Sequence, residues 1–193
     1  MDLRRVTPDQ ITADEFCDLL FGLWSDRGNE RYDEVVSQSE HALQCAALAE
    51  ADGAGPELQI AALLHDVAHL WESEEEFRDT DLVHEVVGAR WLTEWFGNAV
   101  AAPVALHVAA KRYLVAVEPE YADTLSPASV HSLKLQGGPM NQEEVARFEA
   151  NKHHADAVRL RRWDDLAKDP EATTSGFEHY REPIRACLTL APR

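Results

Sequence analysis

Residues 61–70, AALLHDVAHL, decide how the rest of the chain is read. Ala61, Ala62, Leu63, Leu64, Val67 and Ala68 are ordinary core residues of a helix, and His65 and Asp66 interrupt them. An imidazole beside a carboxylate, in a run apolar enough to be buried, is costly unless something charged satisfies both. A divalent metal does so, because neutral imidazole nitrogen and ionised carboxylate oxygen both ligate borderline and hard cations. For an isolated His-Asp pair a buried hydrogen bond is the simpler reading. The wider sequence shifts the balance. His41 lies upstream, His84 and His107 lie downstream on separate predicted helices, and Asp164 lies near the end.

The chain of 193 residues suits one domain over 1–193. Residues 1–30 are expected to form an N-terminal packing helix, 31–168 the metal-site core, and 169–193 a C-terminal packing helix. Hydrophobic content of 45% and aromatic content of 8% fit a globular chain. No apolar run approaches the roughly 20 residues of a membrane span, and MDLRRVTPDQ lacks the apolar core of a signal peptide, so no membrane partner is expected. Cys17, Cys45 and Cys187 have no paired spacing and read as reduced core residues of a cytoplasmic protein. A formal charge of −17 argues against nucleic acid as a partner. It also makes any cluster of Lys and Arg more informative, since a small anion must be held against the field of the whole molecule.

Helix signals run the length of the chain. Thr12-x-x-Glu15 has capping-box spacing, followed by Phe16, Leu19, Leu20, Leu23 and Trp24 at helical intervals, with a stop near Gly28. Polar residues 29–36 read as a loop, and 39–50 as a helix with His41, Cys45 and Leu48 on one face. Gly53 and Gly55 end it. Pro56 opens a helix expected to deliver His65 and Asp66, with His69 on the same face four residues on. The acidic run 72–81 reads as a loop ending in Asp81 as N-cap. The next helix, 82–96, places His84, Val87, Gly88, Trp91 and Trp95 on one side. A helix over 99–117 sets His107 and Lys111 on one face, with Pro103 in or near its first turn. Ser126-Pro127 starts another, 136–140 is a turn, and Asn141-x-x-Glu144 caps a short helix. Residues 156–168 form an amphipathic helix bearing Arg161, Trp163 and Asp164, and a last helix follows Ser175. No strand is convincing; the fold class is all-α.

A single histidine on an apolar face is usually a hydrogen-bonded core residue, and His131, His153, His154 and His179 are assigned to that class. The joint pattern of the others is harder to dismiss. Four successive helices each present one imidazole to the buried face, and without a metal these and two carboxylates would be poorly satisfied. Six candidate ligands, His41, His65, Asp66, His84, His107 and Asp164, exceed what one metal with open positions needs. They suffice for two metals about 3.5–4 Å apart sharing one carboxylate, and Asp66 is the natural bridge. A donor set of imidazole and carboxylate without thiolate favours iron or manganese over structural zinc.

The order H…HD…H…H…D resembles the HD-domain superfamily in its six-ligand, dinuclear version. EHALQCA at 40–46, HVAAKRYL at 107–114, LSPAS at 125–129, QGGPM at 136–140 and RLRRWDD at 159–165 resemble a narrower group. These are the HD-domain mixed-valent di-iron oxygenases that cleave organophosphonates, the PhnZ type. The similarity runs from about residue 31 to 168. It implies an HD-domain helical bundle with ligands from successive helices, two iron ions in an Fe(II)/Fe(III) pair, and O2 as co-substrate. One iron would be held by His41, His65, Asp66 and Asp164, the other by Asp66, His84 and His107. The implied reaction is oxidative cleavage of the C–P bond of a 1-hydroxyalkylphosphonate, with Asp66, His69 and Lys111 as its catalytic positions. The phosphonate-binding positions of the group fall on Lys111, Ser129, Ser132 and Arg161. On this reading Lys111 and Arg161 both serve the anion, and removing either leaves metal content unchanged.

One segment departs from the group. Its pattern has a Tyr and a Glu three residues apart ahead of the first histidine; Glu34 matches the Glu, but Arg31 stands in the place of the Tyr, with Tyr32 one position later. These three are expected to contact the organic end of the substrate. The alternative function is a metal-dependent HD phosphohydrolase acting on a nucleotide or small phosphate ester, which Lys111 and Arg161 would serve equally well. A binding or sensor domain with a remnant site is a third reading, which the full set of six ligands opposes. The expected partner is a small organophosphonate; the sequence leaves the oligomeric state open.

Overall fold

Helix ends follow local chemistry almost everywhere in a computed structural model of the protein, which describes residues 3–29, 35–71 and 84–189. Helix α1 (Ala13–Arg27) begins at the Thr12–Glu15 capping box and ends against Gly28. Helix α2 (Gln38–Ala51) has a capping box of its own, with Ser37 accepting from the Glu40 N–H and Glu40 accepting from the Ser37 N–H. Its start is therefore one residue earlier than the apolar periodicity indicates. Pro56 and Pro127 each occupy the first turn, of α3 (Pro56–Leu64) and α6 (Pro127–Leu135), where a missing N–H costs nothing. Between them run α4 (His84–Phe96) and α5 (Asn98–Val117). The Gly137-Gly138 turn has both residues at positive φ, 93° and 72°, and leads into α7 (Gln142–Glu149), capped by Asn141 and Glu144. Helices α8 (His154–Leu166) and α9 (Arg181–Cys187) complete the order. Short 3-10 turns cover Leu3–Arg5, Val67–Trp71, Tyr121–Thr124 and Phe177–Tyr180. No strand occurs among the described residues, and the all-α reading holds.

Helix α5 is the axis of the bundle and packs against α3, α4 and α8; α2 packs on α3 and α8, and α1 with α9 closes one side. One continuous apolar core runs from Leu3 to Ile184 and includes the wholly buried Phe16, Leu20, Leu64, Leu92, Trp95 and Leu160. Phe16 of α1 lies 4.4 Å from the Trp95 ring and stacks on Trp91, which seats the first helix on α4. A smaller cluster, Ala110, Phe148 and Ala157, joins α5, α7 and α8. Helix α5 is long and apolar enough to cross a bilayer, but half of that stretch is buried inside the bundle, and it carries the buried His107 and Lys111.

The stretch that decides the fold is more broken than its periodicity indicates. Helix α3 ends at Leu64; His65 and Asp66 form the turn after it, and Val67–Trp71 continues as a 3-10 helix. Neighbouring side chains of a regular helix diverge, whereas this tighter turn aims both His65 and Asp66 inward. His69 consequently does not stack over His65. With three residues per turn it falls over Asp66. Pro103 sits just past the first turn of α5, near its start as expected. Two smaller corrections remain. Val87 is about half exposed and leaves the α4 core face to Gly88, Trp91 and Trp95. His131 and His179 are exposed, and His153 and His154 only half-buried, so none of the four is a core residue. Asp81 lies outside the described residues.

The capping box of α2 sets the helix that carries His41. Ser37→Ala should cost about 1 kcal/mol and lower the melting temperature by roughly 2–4 °C, measured by circular dichroism. An unchanged melting temperature would show that the cap contributes nothing.

Candidate metal centre and cation pocket

Five elements converge on one point inside the bundle. Helix α2 supplies His41, the turn after α3 supplies His65 and Asp66, the first residue of α4 is His84, α5 supplies His107 and α8 supplies Asp164. All are buried except His84, which is nearly so. His41 Nδ1 donates to the Ala167 carbonyl at 2.9 Å, His65 Nδ1 to Ala62 at 2.9 Å, and His107 Nδ1 to Val104 at 2.7 Å. With Nδ1 carrying the proton, each Nε2 presents a lone pair. Yet His41 Nε2 and His65 Nε2 are 3.3 Å apart, and His84 Nε2 and His107 Nε2 are 3.4 Å apart. Two imidazole nitrogens at that distance need a proton or a cation between them.

Asp66 stands between the two imidazole pairs. Its Oδ2 is 3.4 Å from His65 Nε2 and 4.0 Å from His41 Nε2, while its Oδ1 is 3.6 Å from His84 Nε2 and 3.7 Å from His107 Nε2. Asp164 Oδ1 completes the first group, 3.4 Å from His41 Nε2 and 4.0 Å from His65 Nε2. Donors about 2.0–2.2 Å from one ion lie roughly 3.0–3.4 Å apart in octahedral or tetrahedral arrangements. The nitrogen pairs and the shortest nitrogen–oxygen spacings, 3.3–3.4 Å, fall in that range, and the remaining ones, 3.6–4.0 Å, lie a few tenths of an ångström beyond it. Asp66 Oδ1 is buried without a hydrogen-bond donor, an arrangement a cation would relieve. Burial pushes the Asp66 carboxyl up, but the imidazoles of His65, His69, His84 and His107 outweigh it and hold the group below the usual carboxylate range. Burial drives His107 down to about 3 and His69 down to about 4, so both are neutral near pH 7. The His69 ring packs against His84 with centroids 4.3 Å apart and planes tilted by 31°, and its Nε2 is 3.9 Å from Asp66 Oδ1.

The donor set is not wholly free of sulfur. Cys45, one helical turn beyond His41, places Sγ 3.7 Å from His41 Nε2. Burial raises its pKa, which keeps it a neutral thiol beside the nitrogen and oxygen donors.

Beside the donors lies a cation pocket. Lys111, one turn after His107, is 3% exposed and donates to Ser132 Oγ at 2.7 Å. Burial, with Arg161 nearby, lowers its pKa to about 8, against the opposing pull of Asp164, Asp165 and Asp66. Arg161 donates to Asp164 Oδ2 at 2.7 Å, forks onto Asp165 and reaches Ser129 Oγ at 3.4 Å. Tyr121 hydrogen-bonds Asp165 and accepts from Arg161 Nε at 3.2 Å. Lys168, just past α8, lies 3.4 Å from both Ser126 Oγ and Ser129 Oγ. Sequence reasoning missed Lys168, Tyr121 and Ser126. Lys168 is the last residue of the expected helix 156–168 but lies past α8, which ends at Leu166, and nothing in the sequence ties Tyr121 to the Asp164-Asp165 pair. Arg31, Tyr32 and Glu34 lie outside the described residues.

The HD domain family matches residues 39–156, more than half of the chain. Hydroxymethylphosphonate dioxygenase of Gimesia maris is 45% identical over 192 residues, covering 97% of this chain and 92% of that protein. The chain belongs to the HD-domain family, in the group of the phosphonate dioxygenases. The [1-hydroxy-2-(trimethylamino)ethyl]phosphonate dioxygenase (glycine-betaine-forming) of Leisingera caerulea is 42% identical, with 91% of this chain and 92% of that one aligned. Uncharacterized protein L432 of Acanthamoeba polyphaga mimivirus is 34% identical over 80% of the chain and 73% of its own. Membership in this dioxygenase group, with the His/Asp cluster, makes the converging point a metal centre that works with O2.

The geometry revises the expected role of Arg161. Its guanidinium is spent largely on Asp164 and Asp165, so it supports the donor cluster as well as any anion. Arg161→Met strands the buried Asp164 and the half-buried Asp165 and should cost about 3–5 kcal/mol, with metal content falling too. Lys111→Met removes a buried charge that donates to a neutral hydroxyl, so stability and metal content should hold. Melting curves and iron assays compare the two; equal behaviour would show that Arg161 is not part of the support of Asp164.

Proposed function

We propose that this protein cleaves the C–P bond of a 1-hydroxyalkylphosphonate with O2 at two iron ions that share Asp66, held as an Fe(II)/Fe(III) pair. The observation that carries the reading is the placement of Asp66, with one oxygen turned to each donor group, beside a buried lysine. His41, His65, Asp66 and Asp164 would hold one iron, and Asp66, His84 and His107 the other. Bound there, the iron pair supplies the exchange of electrons with O2.

The remaining chemistry belongs to the chain. Lys111 offers a charged N–H to a phosphonate oxygen, and its partner Ser132 and the neighbouring Ser129 can turn their hydroxyls to the same anion. Arg161 keeps Asp164 ionised and aims its second nitrogen at Ser129. His69, neutral and packed on His84, can take or return a proton beside the Asp66 carboxylate. Arg31, Tyr32 and Glu34 are assigned to the organic end of the substrate. Relatives named for a hydroxymethyl and for a trimethylaminoethyl phosphonate show that this end varies within the group. Atoms balance as one O2 consumed per C–P bond broken, with a carboxylate, phosphate and one proton as products.

Hydroxymethylphosphonate is the first substrate to test, with phosphate release and O2 uptake measured together. One O2 should disappear per phosphate, release should stop under strict anaerobiosis, and zinc-substituted protein should be inactive. A Lewis-acid hydrolase needs only metal-activated water and tolerates redox-silent ions. Phosphate appearing at the aerobic rate without O2, or from simple phosphate esters with zinc bound, would replace the oxygenase with a hydrolase.

A further inference from the structure

Three consecutive residues after α8 tie the donor cluster to the cation pocket. The Ala167 carbonyl accepts from His41 Nδ1 at 2.9 Å and so sets the ring that faces His65. The Lys168 ammonium lies 3.4 Å from Ser126 Oγ and Ser129 Oγ. Asp169 is held by the side chain of Gln44: Gln44 Nε2 donates to the Asp169 carbonyl at 2.8 Å, and the Asp169 N–H donates back to Gln44 Oε1 at 3.0 Å. Gln44 is only 6% exposed and sits three residues after His41 on α2. A planar amide that uses both ends on one backbone residue fixes the position and orientation of that residue together.

The serines these cations meet lie along one side of α6, spaced three apart. Lys168 reaches Ser126 and Ser129, Arg161 also reaches Ser129, and Lys111 reaches Ser132. Three cations that share one row of hydroxyls, in a chain of net charge −17, mark a place where an anion is expected. Lys111 and Arg161 are buried, whereas Lys168 is half-buried at the outer side.

We propose that Lys168 is a third anion-binding residue, the outer cation of this pocket, and that Gln44 is a positioning residue that holds the 167–169 strap so that Lys168 and the His41 ring keep their places. The inference rests on reading the pocket as the phosphonate site. Lys168 would meet the dianion as it enters and hold product phosphate until it leaves. A charge-assisted contact of this kind changes affinity by roughly tenfold or more.

Calorimetric binding of inorganic phosphate and of hydroxymethylphosphonate to the anaerobic iron-loaded protein tests the proposal. Lys168→Ala should weaken both ligands by about tenfold, and Lys168→Arg should recover most of the loss. Arg162→Ala is the control for bulk charge, because Arg162 is exposed on α8 and paired with Glu118 at 2.5 Å; it should bind as the parent does. Undiminished binding by Lys168→Ala, or an equal loss in Arg162→Ala, overturns the role of Lys168. Gln44→Leu should show the same weakening together with loss of iron. The milder Gln44→Glu, which keeps the acceptor for the Asp169 N–H, should show a smaller form of both, and parent-like binding and iron content in Gln44→Glu overturn the positioning role. Parent protein that binds neither ligand would instead overturn the phosphonate reading itself.

Discussion

Everything in this structure depends on one buried carboxylate facing two pairs of imidazoles. Asp66 meets His41 and His65 with one oxygen and His84 and His107 with the other. Ring protons held on Nδ1 of His41, His65 and His107 turn their Nε2 atoms inward, so each pair needs a proton or a cation between its nitrogens in a nearly water-free interior. The bundle around it is the means of holding that unfavourable set in place. Five separate elements are pinned by apolar packing that is complete at Leu64, Leu92, Val104 and Leu160.

The supports of the donors are mostly backbone. His65 and His107 each bond the carbonyl three residues earlier, so their helices orient them directly. His41 instead relies on Ala167, far along the chain, and that residue belongs to the strap that Gln44 grips. Asp164 relies on Arg161 in the preceding turn of its own helix. Donors and anion pocket therefore share parts: Arg161 serves both, and the 167–169 strap touches both. Substitutions at Arg161 and Gln44 are expected to affect metal content and anion affinity together, whereas at Lys111 and Lys168 the two separate.

Much of this was legible in the sequence, for identifiable reasons. Capping boxes at Thr12 and Asn141, prolines at the starts of α3 and α6, and glycines at the stops are local signals, and the helices they bound appear where expected. His41, His65, Asp66, His84, His107 and Asp164 were marked by polarity at apolar positions, and the fold brings all six together. The errors arose where tertiary packing overrides periodicity. Extending α3 through His69 assumed 3.6 residues per turn across a segment that tightens to three. The four remaining histidines were given to the core because histidine alone carries no signal of which face it occupies. Lys168 and Gln44 were invisible because their roles depend on contacts across more than 30 residues of chain.

The sharing of Asp66 is the central claim, and iron content tests it most directly. Protein reconstituted anaerobically with excess iron and freed of loosely bound ion should hold two irons per chain. Asp66→Ala should lose both, whereas His41→Ala should lose chiefly one. Wild-type protein fully active with a single tightly held iron, or Asp66→Ala protein that keeps two, would contradict a carboxylate shared between two ions.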